Sequence, residues 1–296
     1  MNNLKDISLE YNFKIKSVKY LGKVIILYTD KGNYVYKNNN NYKIYDYLSS
    51  RNFNFYPKTI NNKNTKYEIT EYIEQNNVSK DQRLNDLIHI TGFLHKRTIF
   101  NKELSLEEIK SMYEDISNDA NYLMNYYQDI NNYIDNQTFM SPSEYLLVSN
   151  IDIFYYLLSF VKVESENWYK EINNNKTIRF SMIHDNLDLS HIIEGNNLYL
   201  TSWNKAHIDY FLKDLINIYQ RNYNMLDLED YIKEYEKENK LNNIEYLYLL
   251  LKLSIPKRIE FTRNTYLDTY NISNYLVYLK KIVALIQKYD KMKQKS

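Results

Sequence analysis

The chain has 296 residues, a formal net charge of +1 and 44% hydrophobic residues. That length and apolar content suit a folded chain of two lobes with a sizeable core and exclude a disordered one. The near-balanced charge leaves no basic footprint for nucleic acid or for an anionic membrane, so neither is expected as a partner. Cysteine is absent, which excludes disulfides and thiol catalysis and fits a reducing compartment.

No apolar run approaches the roughly 18 residues of a membrane span, and the opening MNNLKDISLE has no signal-peptide core, so a cytoplasmic location is expected. Tyrosine is abundant at 33 residues, while Gly is 4 and Pro 3. An AT-rich coding sequence accounts for that bias; tyrosines serving as cross-linking sites in a protein coat are the sharper alternative. The scarcity of glycine bears on chemistry. A glycine-rich phosphate loop lets backbone N–H groups approach phosphates, and only Gly22 and Gly32 lie in the N-terminal third.

In chain order, Ile15 to Tyr20, Val24 to Tyr28 and Tyr34 to Lys37 alternate as three strands of a meander, with Asp30-Lys31-Gly32-Asn33 as a hairpin turn. Asn38–Asn41 is expected to cap a helix from Tyr42 to Ser50, whose only acid is Asp46. After a turn over 61–66, Tyr67 to Ile73 is a strand. The composition shifts at Gln75-Asn76-Asn77, giving a β-rich lobe over 1–77 and a mainly helical lobe over 78–296.

Leu84, Leu87, Ile88, Thr91, Leu94 and His95 recur at helical spacing over 80–97, with His95 as a packed or capping histidine. A long helix over 104–133 opens on the capping box Ser105-Leu106-Glu107-Glu108. Another opens at Ser141-Pro142-Ser143-Glu144 and runs to about Val163, with Tyr145, Leu146, Ile153, Leu157 and Phe160 in the core. Phe180 to Ile183 is a short strand ending in a loop at His184-Asp185-Asn186. Ile192-Ile193 and Leu198 to Thr201 form a strand pair about a turn at 194–197. Helices follow over 209–221, 226–240, 244–253 and 272–289. Five histidines without cysteine give no zinc-like spacing, and no metal is expected.

The order of elements over 180–222 resembles the core of the aminoglycoside phosphotransferase and choline kinase branch of the protein-kinase-like superfamily, whose pattern is roughly H-G-D-x-x-x-x-N, a strand pair ending in I-D-F/W, then D-x-x-x-x-D-L. Phe55 to Ile60, Phe93-Leu94-His95-Lys96, and the segments Leu253 to Ile259 and Asn264-Thr265-Tyr266 add to it. The last two resemble the bacterial spore coat kinase-like proteins of the CotS, YutH and YsxE types. The resemblance implies an α+β fold of two lobes, a small antiparallel β lobe with one helix and a larger helical lobe. It implies that Lys37 stands where the third-strand lysine reaches the α/β phosphates, with its partner carboxylate expected on the following helix at Asp46, and that residues 71–74 lie by the adenine slot.

The same resemblance places degenerate positions at 184–191 and 198–203. His184 stands at the loop histidine, Asn186 at the catalytic Asp, His191 at the metal-binding Asn and Ser202 at the metal-binding Asp. Asp209 and Asp214 match the helix signature and are expected to be structural, as is His184. A shift of one residue would put Asp185 at the catalytic position and Ser190 at the metal-binding Asn, leaving Ser202 unchanged. A neutral amide accepts no proton as a carboxylate does, and loss of a general base costs about 10²–10⁴ in rate. Mg²⁺ prefers carboxylate and phosphate oxygens to a hydroxyl or an imidazole.

The leading reading is therefore a catalytically inactive kinase-like protein, a pseudokinase without cofactor, acting as a binding or scaffold component for a protein partner in spore coat assembly, in the mother-cell cytosol or the coat. The alternatives are a diverged small-molecule phosphotransferase using ATP and Mg²⁺ with Asp185 or Asp188 as substitute, and a tyrosine-rich structural coat protein.

Overall fold

The computed structural model describes residues 2–60, 65–262 and 264–293. Most of the turn expected over 61–66, and the last residues of the chain from 294, lie outside them. From the N-terminus, α1 (Asn2–Glu10) precedes β1 (Ile15–Leu21), β2 (Val24–Thr29) and β3 (Asn33–Lys37), then α2 (Tyr42–Ser50) and β4 (Glu68–Glu71). Next come α3 (Lys80–Thr98), β5 (Phe100–Glu103), α4 (Leu106–Asp135), α5 (Pro142–Val148) and α6 (Ile151–Asn175). The chain continues through β6 (Thr177–Ile183), β7 (Ile192–Glu194), β8 (Leu198–Leu200), β9 (His207–Tyr210) and α7 (Leu212–Asn222). It closes with α8 (Leu228–Glu236), α9 (Asn243–Ser254) and α10 (Thr265–Lys293). Two compact units result, Met1–Thr98 with Met182–Ile208, and Ile99–Ser181 with Asp209–Ser296. The division expected at 77/78 runs inside the first.

In the first unit, β1 to β4 form one antiparallel sheet in sequential order. Gly22 turns β1 into β2 with φ +59°, a left-handed conformation that costs glycine nothing. The sheet buries Leu27, Tyr36 and Ile69 together with Phe13 and with Ile7 of α1. α1 was not expected from the sequence, because only Leu4 and Ile7 mark its apolar side. It ends where Asn12 adopts φ +50°, a conformation asparagine tolerates. On α3, the expected Leu84, Leu87, Ile88 and Leu94 are buried, as is His95. β7 and β8 pair as an antiparallel hairpin, Ile192 opposite Leu200.

In the second unit, α4 packs on α6, α6 on α9, and α10 on α5. β5 pairs antiparallel with the first half of β6. The capping boxes at Ser105/Glu108 and Ser141/Glu144 both form. The single helix expected over 141–163 is instead two, α5 and α6, bent by 44°. Asn150 leaves helical geometry with φ −126°, and its side-chain amide donates to the Leu146 carbonyl at 2.9 Å, competing with the main-chain ladder. Tyr145, expected in the core, is 65% exposed. The helix expected from Asp209 starts at Leu212, because Asp209 and Tyr210 end β9. α8 is shorter than expected, and α10 begins at Thr265 instead of Ile272. No single helix among the described residues is long and apolar enough to cross a membrane.

Candidate functional site

A cavity of about 780 Å³ opens within the first unit, lined by Lys23, Val24, Lys37, Asn38, Asn39, Asn41, Ser202 and Asn204. The sheet positions its upper side. Val24 pairs with Lys37 across β2–β3, so Lys23, one residue before Val24, lies at the same end of the ladder as Lys37. Asn38, Asn39 and Asn41 follow β3 directly. Ser202 and Asn204 come from the segment after β8, where Ser202 adopts φ +69° and starts a 3₁₀ turn over Trp203–Lys205.

Lys37 has a partner the sequence reading missed. Its Nζ lies 3.6 Å from Oε1 of Glu68, which is directly opposite it in the β3–β4 register. Glu68 is 1% exposed. Its carboxylate also accepts from the Asn41 main-chain N–H at 3.3 Å, the Asn41 side-chain amide at 3.1 Å and the Tyr45 hydroxyl at 3.1 Å. Burial, reinforced by Glu68, raises the Tyr45 hydroxyl well above its usual range. Asp46, expected to hold Lys37 from α2, is exposed instead. Asn41 is the N-cap residue of α2, but its side chain is turned to Glu68 and makes no cap bond, while the Asn40 side-chain oxygen accepts from Tyr42 N–H at 2.8 Å.

The loop at 184–191 folds on itself. His184 is fully buried, its Nε2 donating to the Thr201 carbonyl at 2.8 Å and its ring edge-on to Trp203 at 4.7 Å. Trp203 is itself buried and meets Phe53 at 5.9 Å, so the 3₁₀ turn is anchored by aromatic packing. Asp185 adopts φ +53°. The Asn186 carbonyl accepts from His191 Nδ1 at 2.6 Å, which puts the proton of a neutral imidazole on Nδ1. The Asp188 carboxylate accepts from Ser190 N–H at 2.8 Å and from the Ser190 hydroxyl at 2.6 Å, capping the turn over Leu189–His191. From α3, Arg83 donates to the carbonyls of Leu189 at 2.6 Å and Ile192 at 2.9 Å, tying the loop down. The cavity thus brings together Lys37 and Ser202 of the expected residues, while Asn186, His191 and Asp185 are not among its lining residues.

Of residues 71–74, expected by an adenine slot, Glu71 and Tyr72 have their N–H groups engaged elsewhere, as does the nearby Asn76. Glu71 N–H donates to the Lys58 carbonyl at 3.0 Å, Tyr72 N–H to Asn33 at 3.0 Å and Asn76 N–H to Glu194 at 2.8 Å. Asp209 and Asp214 belong to the second unit. Asp209 ends β9, accepting from Tyr210 N–H at 2.6 Å and pairing with Lys213. Asp214 is fully buried in the first turn of α7. Lys23, Glu68 and Asn204 were not singled out from the sequence, and Asn41 only as part of the cap of α2. Glu68 alone carried a signal, as the charged residue near the start of the strand expected over Tyr67 to Ile73.

No protein-family model and no curated protein sequence matches the chain. Solved structures do. The chain is similar to an aminoglycoside phosphotransferase from Alicyclobacillus acidocaldarius subsp. acidocaldarius DSM 446, at TM-score 0.70 and 11% identity over 95% of this chain and 93% of that one. It is similar to a spectinomycin phosphotransferase solved as its AMP complex, at TM-score 0.54 and 12% identity over 96% and 98% of the two chains. The choline kinase LicA from Streptococcus pneumoniae aligns at TM-score 0.48 and 14% identity over 96% and 98%. The first two carry the conclusion. The chain has the α+β fold of these small-molecule phosphotransferases, with a small antiparallel-sheet lobe and a larger helical lobe.

Proposed function

We propose that this chain is a kinase-like protein that has lost phosphoryl transfer and acts by binding, as a pseudokinase. The observation that carries the proposal is the cavity wall. Where the fold relatives' pattern has a metal-binding carboxylate, Ser202 lines the cavity, and its other polar lining groups are asparagine amides and two lysines. Phosphoryl transfer depends on metal and positioned charge, and Mg²⁺ takes carboxylate oxygens. No group of three or more His, Asp or Glu side chains suited to a metal occurs among the described residues. These residues do not fit a Mg²⁺ site.

The backbone supports the register in which Asn186 holds the catalytic position. Asp185 has the left-handed φ of +53° that the pattern's glycine would serve, which leaves Asn186 in the third place. Asp188 is committed to Ser190, so neither substitute carboxylate is favoured as a base. The narrower reading, a scaffold for protein partners in spore coat assembly, is supported by the segments at 253–259 and 264–266 alone.

The test is turnover. The purified chain is assayed for ATP consumption with Mg²⁺ or Mn²⁺ against choline, spectinomycin and other aminoglycosides. The expected result is no rate above that of the protein-free control. Metal-dependent turnover that Asp185→Asn abolishes would overturn the proposal in favour of a diverged phosphotransferase.

A further inference from the structure

We propose that a second cavity of the first unit, between the turn after α2 and the β7–β8 hairpin, binds a neutral saccharide of one or two rings. It shares no lining residue with the cavity beside Lys37, so the proposal stands whether or not that cavity supports transfer.

The second cavity holds about 590 Å³, a volume in the range of small-molecule sites. Its apolar lining is Phe55, Tyr56, Leu198 and Tyr199, each half-buried, which leaves ring and aliphatic surface open to a ligand. Around them stand the exposed Asn52, Asn54 and Asn197, whose side-chain amides make no hydrogen bond among the described residues. The charged lining is Lys58 and Glu71, one of each sign.

These walls are held in place before any ligand arrives. α2 ends in a turn where Asn52 takes φ +57°, a left-handed conformation asparagine tolerates, and Phe53 N–H donates to the Leu48 carbonyl at 2.9 Å. The segment that follows is bonded to the hairpin, Leu200 N–H donating to the Phe55 carbonyl at 2.7 Å. The Tyr56 ring stacks on Tyr45 at 4.6 Å, and its hydroxyl donates to the Tyr45 carbonyl at 3.1 Å, so one ring face and the polar tip are committed to the protein. Phe55 lies edge-on to Phe93 at 5.4 Å, and Tyr199 is fixed opposite Ile193 by the hairpin register. Side chains ordered in advance lose little freedom on binding.

The chemistry of the lining selects the ligand. One lysine and one glutamate leave no net field for a polyanion or a polycation. A saccharide presents C–H groups on the faces of its ring and hydroxyls, each donor and acceptor, around the rim. An asparagine amide accepts through its oxygen and donates twice through its nitrogen, so one amide can serve two adjacent hydroxyls. The face of an aromatic ring carries the negative end of its quadrupole, which suits approaching C–H hydrogens. A floor of rings inside a rim of amides is therefore the complement of a sugar lying flat. The site is no extension of the Lys37 cavity. β4 pairs with β3 along one edge and with residues 58–60 along the other, where Glu71 N–H donates to the Lys58 carbonyl at 3.0 Å and Thr59 bridges Thr70. The Glu71 carboxylate accepts Lys58 N–H at 3.1 Å, so it is turned to this outer edge, away from β3.

The experiment is saturation-transfer NMR with calorimetry on the whole chain, using maltose, cellobiose and N,N′-diacetylchitobiose as probes. Kanamycin, adenosine and an uncharged proline-rich peptide are the competing probes. The expected result is transfer to the ring C–H protons of at least one disaccharide. Its affinity should not change with ionic strength, because the ligand is uncharged, and ATP should not displace it with or without Mg²⁺. Asn54→Ala and Asn197→Ala, at exposed positions, should each weaken it about threefold to tenfold, as loss of a hydrogen bond does. Both should melt with the parent, so a loss of binding reads on the site. Tyr199→Leu keeps an apolar side chain, removes the ring face and should weaken the disaccharide about fivefold. The proposal is overturned if none of the three disaccharides binds, if only kanamycin, adenosine or the peptide does, if ATP displaces the sugar, or if all three variants bind it as tightly as the parent. Turnover of ATP would sink the pseudokinase assignment and leave this site standing, since sugar binding is read without any reaction.

Discussion

Glu194, at the end of β7, is 5% exposed, and its Oε1 lies 4.0 Å from Arg83 Nε with neither atom in a hydrogen bond. Burial, with Asp86 nearby, raises its carboxyl above the ordinary value of 4.5, against the opposing pull of Arg83. A carboxyl raised in the fold keeps its proton longer than the same group in the unfolded chain. Its contribution to stability is therefore present below the ordinary value and is lost as pH rises through the raised one. Glu194→Gln keeps the oxygen that faces Gln75 and removes the charge. It should melt about 1–2 °C above the parent near pH 7 and no higher near pH 4, a difference read from thermal melts at both pH values. A lower Tm near pH 7 would mean that the Arg83 attraction outweighs burial. Single residues of this kind were poorly legible in the sequence. Lys37 was singled out by its place on the third strand, but its carboxylate was sought along the chain at Asp46. Which residue faces Lys37 is decided by the β3–β4 register, and registers emerge only when strands pair.

Elements were more legible than partners, because periodicity and caps are local. The β1–β3 meander, α3, the box at Ser105 and the β7–β8 hairpin were all expected where they form. Boundaries failed where a side chain competes with the backbone, as Asn150 does between α5 and α6. The β7–β8 hairpin shows a constraint no periodicity reveals. Glu194 accepts Asn76 N–H at 2.8 Å, and the Gly195 carbonyl accepts the Asn76 side chain at 3.0 Å. Glycine is required by this approach, since an added Cβ would lie 2.6 Å from Ile73 Cγ2 and 3.4 Å from the Glu74 carbonyl. Gly195→Ala should cost about 1–3 kcal/mol, as overpacking does. In an Ile73→Ala background, where that methyl is gone, the same change should cost at most half as much, giving a coupling readable from denaturant melts of the double-mutant cycle. Equal losses in both backgrounds would show that Ile73 is not the obstacle.

At the scale of the whole molecule, the fold outlives its sequence signature. A structure aligned over 95% of the chain shares 11% identity with it, so the order of elements was readable when no motif was intact. The abundance of tyrosine was not readable as structure, and packing gives part of it a structural use. Tyr127, Tyr219, Tyr231 and Tyr235 are among the largest fully buried side chains, and the hydroxyls of Tyr126 and Tyr127 donate to the Ile259 and Lys257 carbonyls, clamping the loop before α10. Burial is the leading cause that raises Tyr127, Tyr210, Tyr219, Tyr231, Tyr235, Tyr275 and Tyr278 above the ordinary phenol value of 10.0. For such a group the unfolded chain ionises first, so stability is full below about pH 10 and falls as pH climbs toward the raised folded values. Alkaline titration should therefore show the tyrosinate absorbance of these side chains arriving together with loss of the helical circular dichroism signal. Full absorbance for all 33 tyrosines with the helical signal intact would mean that the rings are wetter than this packing allows. Their abundance would then belong to the surface, as a cross-linked coat protein would require, and not to the core.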